Sequence, residues 1–379
     1  MSSRLAVTTV ETWACRLPLR QPLDFGRFQV KERHYAALRL RTSGGLMADV
    51  VSQTRGVPLD MVIAEVIAPR LLGRDALNLA VLTFDMEDSL AAVEFDGSIG
   101  RAWSMVEIAL QDLRAQAAGW PLWRLLGGRP RAVPVLLVEG YALVGETDEA
   151  FAERLAARVE EGYSALKMEA AHYSDPDAIL RRLVRFRELA GPEPRLVLDF
   201  AWSWANATDR ADFVKAVAPL AIDWIEDSFP RHRITDYARL RRLGVPIGCG
   251  DEATRPADLR ALIAGDAVDV LRLDATTIGG IETVRHLSDL ARRQGIRISF
   301  HEHPEVHEHC VFGLNSADHI EMFPIDRPFD RVHDLLETCP AERVSAGRLE
   351  PQTIAGSGIR LREAALAQFA HRHTKVGAD

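Results

Sequence analysis

The sequence predicts an α/β protein in which parallel strands alternate with helices, as a barrel or a doubly wound sheet, behind an N-terminal α+β portion. Two observations carry this. Between residues 164 and 323 the apolar runs SALKME, LVLDF, IDWIED, IGCGDE, DVLRLD, IRISFHEH and HIEMF each end in a residue able to carry charge. The steps between Lys167, Asp199, Glu226, Asp251, Asp274, His301 and Glu321 are 32, 27, 25, 23, 27 and 20 residues, enough for one strand, one helix and two loops. Repetition of that unit argues for a barrel or a doubly wound sheet. The nucleotide-binding form of the latter lacks support, since neither GxGxxG nor a P-loop follows the first strand.

The elements follow in order. Residues 3–17 and 35–41 are rich in β-formers, and TSGG at 42–45 places glycines where a hairpin turn needs positive φ before LMADVVS, so an antiparallel N-terminal sheet is predicted. From Pro58 to Leu126 apolar residues recur at three and four, which predicts helices closed by Gly127 and Gly128. AVPVLLVEGY (132–141) opens the alternating region. Its helical segments, from DEAFAERLAARVEEG to GGIETVRHLSDLARRQG, often begin with Asp and end with Gly, the expected cap asymmetry; a weaker one is expected near VHEHCVFGLNSA. Past Glu321 comes the Pro-rich PIDRPFDRVHD, and the tail SGIRLREAALAQFAHR is expected to form a strand-turn and a helix returning to the N-terminal domain. The divisions expected are 1–125, 126–325 and 326–379.

Composition narrows the function classes. With 379 residues, 47% hydrophobic and 26% charged, the chain can bury a full core. A net charge of -8 disfavours nucleic acid, which calls for a basic surface. Cys15, Cys249, Cys310 and Cys339 show no CxxC spacing, so neither a disulfide framework nor a thiolate zinc site is expected, and a reducing cytoplasm fits. No signal peptide or membrane span is read from the sequence.

In a barrel, strand C-terminal ends converge on one mouth. Carboxylates gathered there repel one another unless a cation lies among them. Asp199, Glu226 and Asp251 therefore read as a divalent-metal site whose hard oxygen ligands suit magnesium. The bland reading makes each acid a helix N-cap.

The helix VEIALQDLRAQAAGWPLWRLLGG, the ordered acids, the GG after DATTI, the late histidine and the tail GSGIRL together resemble the mandelate racemase-like branch of the enolase superfamily, over nearly the whole chain. The resemblance implies a modified (β/α)8 TIM-type barrel with an α+β capping domain completed by the C-terminal segment. It also implies one Mg²⁺ per subunit, a homo-oligomer, and removal of the proton α to a carboxylate to form a metal-stabilised enediolate. Asp199 and Glu226 match the first two ligand positions; Asp251 matches the third by its distance from Pro246, with Glu252 adjacent. His301 corresponds to the base and Asp274 to the carboxylate that orients it. Lys167 is expected to bind the substrate carboxylate, and Glu321 to hydrogen-bond it as a protonated acid.

The departures set the expected reaction. Where this family commonly has Lys-x-Lys, the chain reads Lys167-Met168-Glu169, a poor arrangement for two-base racemisation. A single base, His301, suits dehydration of an aldonate or aldarate to a 2-keto-3-deoxy acid, with Glu169 binding a sugar hydroxyl or acting as a second base. The alternatives are a racemase or epimerase of a 2-hydroxy acid and a non-catalytic carbohydrate-acid binding protein. Arg55 in the mobile capping loop, Trp202 and His303 are candidate substrate contacts; Trp204 is considered with Trp202, indoles at strand ends being more often packing. Specificity is expected to depend on that loop and on residues 20–30. A zinc site in HEHPEVHEH is disfavoured, because the i, i+4 histidine pair would need a helix and Pro304 fits only its first turn.

Overall fold

A computed structural model describes residues 5–25, 28–143, 145–171, 175–327 and 329–378. Gly26 and Arg27, part of the expected specificity segment, lie outside the described residues. The N-terminal part is an antiparallel sheet of β1 (Val7–Asp24), β2 (Gln29–Thr42), β3 (Met47–Gln53) and β14 (Ala370–Gly377), ordered β14-β1-β2-β3. The C-terminus thus supplies an edge strand, pairing Val10 with Val376 and Trp13 with His373. β1 runs beyond the predicted Leu17 as far as Asp24 despite Pro18 and Pro22. Its pairing with β14 ends at Cys15, so the proline positions face no second ladder that would need their missing N–H.

The 97–118 helix lies between this sheet and the barrel, which is why both its faces are buried from Gly100 to Leu113. It ends where Gly119 turns left-handed at φ 68°, with the Gly119 and Trp120 N–H groups donating to the Gln116 and Ala115 carbonyls. The segment after Pro58 is irregular in detail, since residues 63–67 form a π-helical turn within the expected α-helix.

The barrel strands are β4 (Val133–Gly140), β5 (Ala165–Glu169), β6 (Arg195–Asp199), β7 (Ile222–Glu226), β8 (Ile247–Cys249), β9 (Val270–Leu273), β10 (Arg297–Phe300) and β11 (Ile320–Met322). Each ladder from β4 to β10 is parallel, and β11 pairs in parallel with β4, Ile320 opposite Val135. Side chains bridge the remaining seam, with Ser299 Oγ 2.9 Å from His319 Nε2 and the Glu302 N–H donating to Glu321 at 3.0 Å. Short strands β12 (Val344–Ser345) and β13 (Arg348–Leu349) join the start of β4 before the chain reaches the 363–369 helix and β14.

The two-residue strand period puts alternate side chains on the barrel axis. Leu136, Ala165, Val197, Trp224 and Val270, from five strands, pack into one apolar layer. Two residues further along each of four of those strands stand Lys167, Asp199, Glu226 and Arg272, all buried, so the next layer is ionic. The apolar layer closes the barrel floor, and the ionic layer faces its mouth.

Candidate active site

The 1270 Å³ cavity at the barrel mouth, under the capping sheet, is lined by Lys167, Glu169, Asp199, Asp251, His301 and Glu321 among others. One ligand atom each from Asp199, Glu226 and Asp251 lie within 4.8 Å of one another. Glu226 ends β7 below the cavity and is fully buried, oriented by the Trp224 indole N–H at 2.7 Å. Asp251 follows Gly250, which holds φ 139° and whose Cβ, were there one, would collide with the Arg272 backbone. That turn carries Asp251 toward the axis, while Glu252 points to Arg55, whose Nε and terminal nitrogen donate to it at 2.9 and 2.7 Å.

Two cations already sit among these acids. The Lys167 ammonium lies 2.9 Å from Asp199, 3.2 Å from Glu321 and 3.7 Å from Asp251, and also contacts Glu226. The Arg272 guanidinium, fully buried, lies 2.8 Å from Asp251, 3.1 Å from Glu226 and 2.7 Å from Glu321. Four carboxylates against two cations leave a formal deficit of two positive charges among buried side chains, where uncompensated charge is costly. Accordingly Glu226 is pushed well above the carboxylate range, mainly by burial, with Asp251 and Asp199 adding to the rise against Arg272 and Lys167. An all-oxygen donor set with a net charge of about -2 fits a hard divalent cation.

His301 lies beside this cluster. Its Nδ1 is 3.3 Å from Asp274 Oδ2 and its Nε2 is 3.6 Å from Asp251. Asp274 is held in turn by the Thr276 N–H and hydroxyl at 2.8 and 2.7 Å. Burial works against charge on His301, but Asp251, Glu302, Asp274 and Glu252 outweigh it and raise the imidazole well above its usual range. Glu169, buried on the cavity wall, accepts from the Ala171 N–H at 2.7 Å; burial, then Asp199, lifts it well above the carboxylate range.

Arg55 and Trp202 both line the cavity, and Trp202 adopts a left-handed backbone at φ 58°. His303 does not meet its expectation as a substrate contact. Glu302 and His303 are both left-handed, at φ 49° and 46°, and turn the chain into the 304–314 helix, where the His303 ring is buried between protein partners. Its Nε2 accepts the Gln53 N–H at 3.2 Å, and its Nδ1 faces Glu305 at 2.9 Å. Trp204 likewise packs against Phe200, Phe213 and Phe229 in the core. For Glu321, burial favours the expected proton, but Arg272 and Lys167 oppose it and bring the carboxyl down to about 2. The helix predicted only weakly near His307 is regular, and His307 is tied into the backbone, its Nε2 accepting the Ala275 N–H at 2.9 Å and its Nδ1 donating to the Glu302 carbonyl at 2.7 Å.

Three neighbours of the candidate site escaped the sequence reading. Arg272 lies two residues before Asp274 on the same strand face, a spacing that could have revealed it. Glu302 has a ligand atom within 4.8 Å of others from His301 and Glu252. Asp227 accepts the Gly250 and Asp251 N–H groups at 3.1 and 3.2 Å, fixing the loop that bears Asp251.

Comparison with known proteins agrees with this architecture. Residues 7–127 match the mandelate racemase / muconate lactonizing enzyme N-terminal domain, and residues 150–365 match the enolase C-terminal domain-like family. The L-talarate/galactarate dehydratase of Salmonella typhimurium is 30% identical over 247 residues, covering 65% of this chain and 61% of the dehydratase, just under two thirds of its length. The N-succinyl-L-Arg/Lys racemase of Bacillus cereus is 23% identical over 305 residues, covering 77% of this chain and 78% of the racemase. A Bradyrhizobium enolase crystallised with magnesium and mandelic acid superposes with a TM-score of 0.85 at 25% identity, covering 98% of this chain and all of that one.

Proposed function

Since this chain belongs to the mandelate racemase / muconate lactonizing enzyme family of the enolase superfamily, we propose that it uses one Mg²⁺ per subunit to remove the proton α to a carboxylate, dehydrating an acid sugar to a 2-keto-3-deoxy acid. The observation that carries this reading is the approach of Asp199, Glu226 and Asp251 within 4.8 Å, with His301 3.6 Å from Asp251. These three carboxylates would hold the ion. Bound there, magnesium supplies positive charge against which the substrate carboxylate is held and its acidity at the α-carbon raised.

The protein groups do the rest. Lys167, already among the carboxylates, binds the substrate carboxylate. His301, oriented by Asp274, would take the α-proton at Nε2 once a cation held by Asp199, Glu226 and Asp251 offsets the carboxylate charge that otherwise keeps the imidazole protonated. The bond to the β-hydroxyl then breaks, His301 returns that proton to the departing oxygen, and water leaves; the enol tautomerises to the 2-keto-3-deoxy acid. Arg272 and Lys167 offset charge near Glu321, whose carboxylate end caps the same cavity. Glu169, Trp202 and Arg55 line the space available to the sugar chain, where Glu169 accepts a hydroxyl.

A panel of aldonic and aldaric acids incubated with Mg²⁺ tests the reading. At least one is expected to give a 2-keto-3-deoxy product, and His301→Asn is expected to reduce turnover by at least about 10³-fold. Failure of every acid with folded, metal-loaded protein counts against dehydration. Racemisation or epimerisation is the second reading, favoured by the similarity to a named racemase and by Glu169, a second proton-exchanging group on the cavity wall. Solvent deuterium entering the α-position with inversion and without loss of water selects it.

A further inference from the structure

β4 carries one residue too many at the rim of the barrel. From Leu137 to Gly140 it advances three positions while its partner β5 advances two, from Leu166 to Met168. The consequence falls on Tyr141. Along β4, Leu136 and Val138 turn to the barrel interior, and Glu139 turns outward to Arg154 and Arg158. A period of two would send Tyr141 outward after Glu139. The extra residue reverses the phase, and Tyr141 lines the mouth cavity instead. Gly140 permits the close approach of the two strands there, since a Cβ on it would lie 2.4 Å from Met168 Cα.

The Tyr141 ring is then fixed among aromatic neighbours. It packs against Phe329 at 4.9 Å and edge-on to Phe25 at 5.7 Å between centroids, and Tyr141 is only 8% exposed. Its hydroxyl makes no hydrogen bond to the described residues and opens to the cavity. A buried phenol ordinarily finds a partner. Glu169, at the end of β5, lines the same cavity and accepts the Ala171 N–H at 2.7 Å, but no hydrogen bond joins it to the phenol. Burial first, then Glu169, keeps the phenol protonated against the opposing Arg33, so it is a donor.

A donor and an acceptor thus border one space without meeting. The group that joins them must accept from the phenol and donate to the carboxylate. A carboxylate or a ketone has no proton to donate, and an ammonium would leave the phenolic proton without an acceptor; an alcohol serves both.

We propose that Tyr141 reads an alcohol group of the substrate, its phenol donating to the alcohol oxygen while the alcohol O–H donates to Glu169. A chain lacking that oxygen would leave both side chains unmet, so Tyr141 selects hydroxylated acids over plain ones. The inference rests on the reading of the barrel mouth as a site for a hydroxylated acid, and holds for dehydration and racemisation alike.

Calorimetric titration with Mg²⁺ present tests it, with the six-carbon aldonates and aldarates set against hexanoate and adipate, acids of equal length without hydroxyls. At least one hydroxylated acid is expected to bind more tightly than its plain counterpart. Tyr141→Phe keeps the ring and is expected to weaken that acid by about fivefold or more, leaving hexanoate and adipate unchanged. A crystal of the unaltered chain with the same acid is expected to place one alcohol oxygen within about 3 Å of both Tyr141 Oη and a Glu169 oxygen, which decides the matter even if the variant fails to fold. Affinity indifferent to the variant, an equal loss for the plain acids, no preference for hydroxylated acids, or water alone between the two side chains would each overturn the inference. Hydroxyl-dependent binding without a 2-keto-3-deoxy product would uphold it and count against dehydration; product formed at unchanged affinity in Tyr141→Phe would do the reverse.

Discussion

Gly248 is the residue on which the geometry of Glu226 turns. A Cβ added there would meet Trp224 Cδ1 at 2.5 Å and Nε1 at 2.9 Å, so only a glycine lets the indole lie flat in the barrel. The same indole donates to Glu226 at 2.7 Å. Gly248→Ala should therefore act twice. Overpacking a rigid core is expected to cost about 1–3 kcal/mol, read as a lower unfolding midpoint. Displacing the indole should also release Glu226 and weaken magnesium binding several-fold by calorimetry, with destabilisation but unchanged affinity arguing against the indole as the device that orients Glu226. The neighbouring Asp251 and Glu252 show how much one residue of phase matters: the left-handed Glu252, at φ 57°, sends its carboxylate to Arg55 instead of to the cluster.

At the scale of elements, the 97–118 helix caps another helix across the domain boundary. Glu107 accepts the N–H groups of Ile281 and Glu282 at 2.7 and 3.3 Å, at the positive end of the 281–293 helix. Gly280, at φ 95°, permits this approach, since a Cβ there would collide with the Glu107 side chain. Burial is the larger influence, though, and pushes the Glu107 carboxyl up from 4.5 to about 7 despite those donors. The folded chain thus holds a proton more tightly than the unfolded one. Its contribution is full below pH 4.5 and lost as pH rises to 7. The loss is at most about 3 kcal/mol. Glu107→Gln, which cannot ionise, is expected to flatten that part of the stability–pH curve in urea titrations; an unchanged slope would assign it to another group.

Elements were also the level at which the sequence was most legible. Apolar runs ending in Asp, Glu, Lys or His located seven strand ends, because a strand buried on both faces cannot hide a charge until it reaches the mouth. Arg272 was missed for the same reason, since an arginine inside an apolar run is ordinarily a surface residue and only the ionic layer around it explains this one. His303 closes the run IRISFHEH and so reads as a residue of the mouth, whereas the left-handed pair Glu302 and His303 changes the direction of the chain. Pro304 marks where the 304–314 helix begins, but nothing local marks the left-handed pair before it.

At the scale of the whole molecule, the cap is bound to the barrel beside His301. Arg55 donates to Glu252 and approaches Glu302 at 3.5 Å, Gln53 donates to Glu302 at 3.2 Å, and Arg101 donates to the Gln53 carbonyl at 2.6 Å. These contacts join the segment after β3 to the loops after β8 and β10, which flank His301. Arg55 is exposed, its side chain at 38%, so its ion pairs should contribute no more than about 1 kcal/mol to folding. Their effect on substrate should be larger. Without the guanidinium, Glu252 is left with the more distant Arg101 at 3.5 Å, so more negative charge faces an anionic substrate, and the cap loses one of its attachments over the mouth. Arg55→Met is thus expected to raise KM about tenfold while kcat falls less than about threefold and the unfolding midpoint barely moves. A fall in kcat with KM unchanged would instead give Arg55 a part in the chemical step, and a large loss of stability would make it a structural clasp.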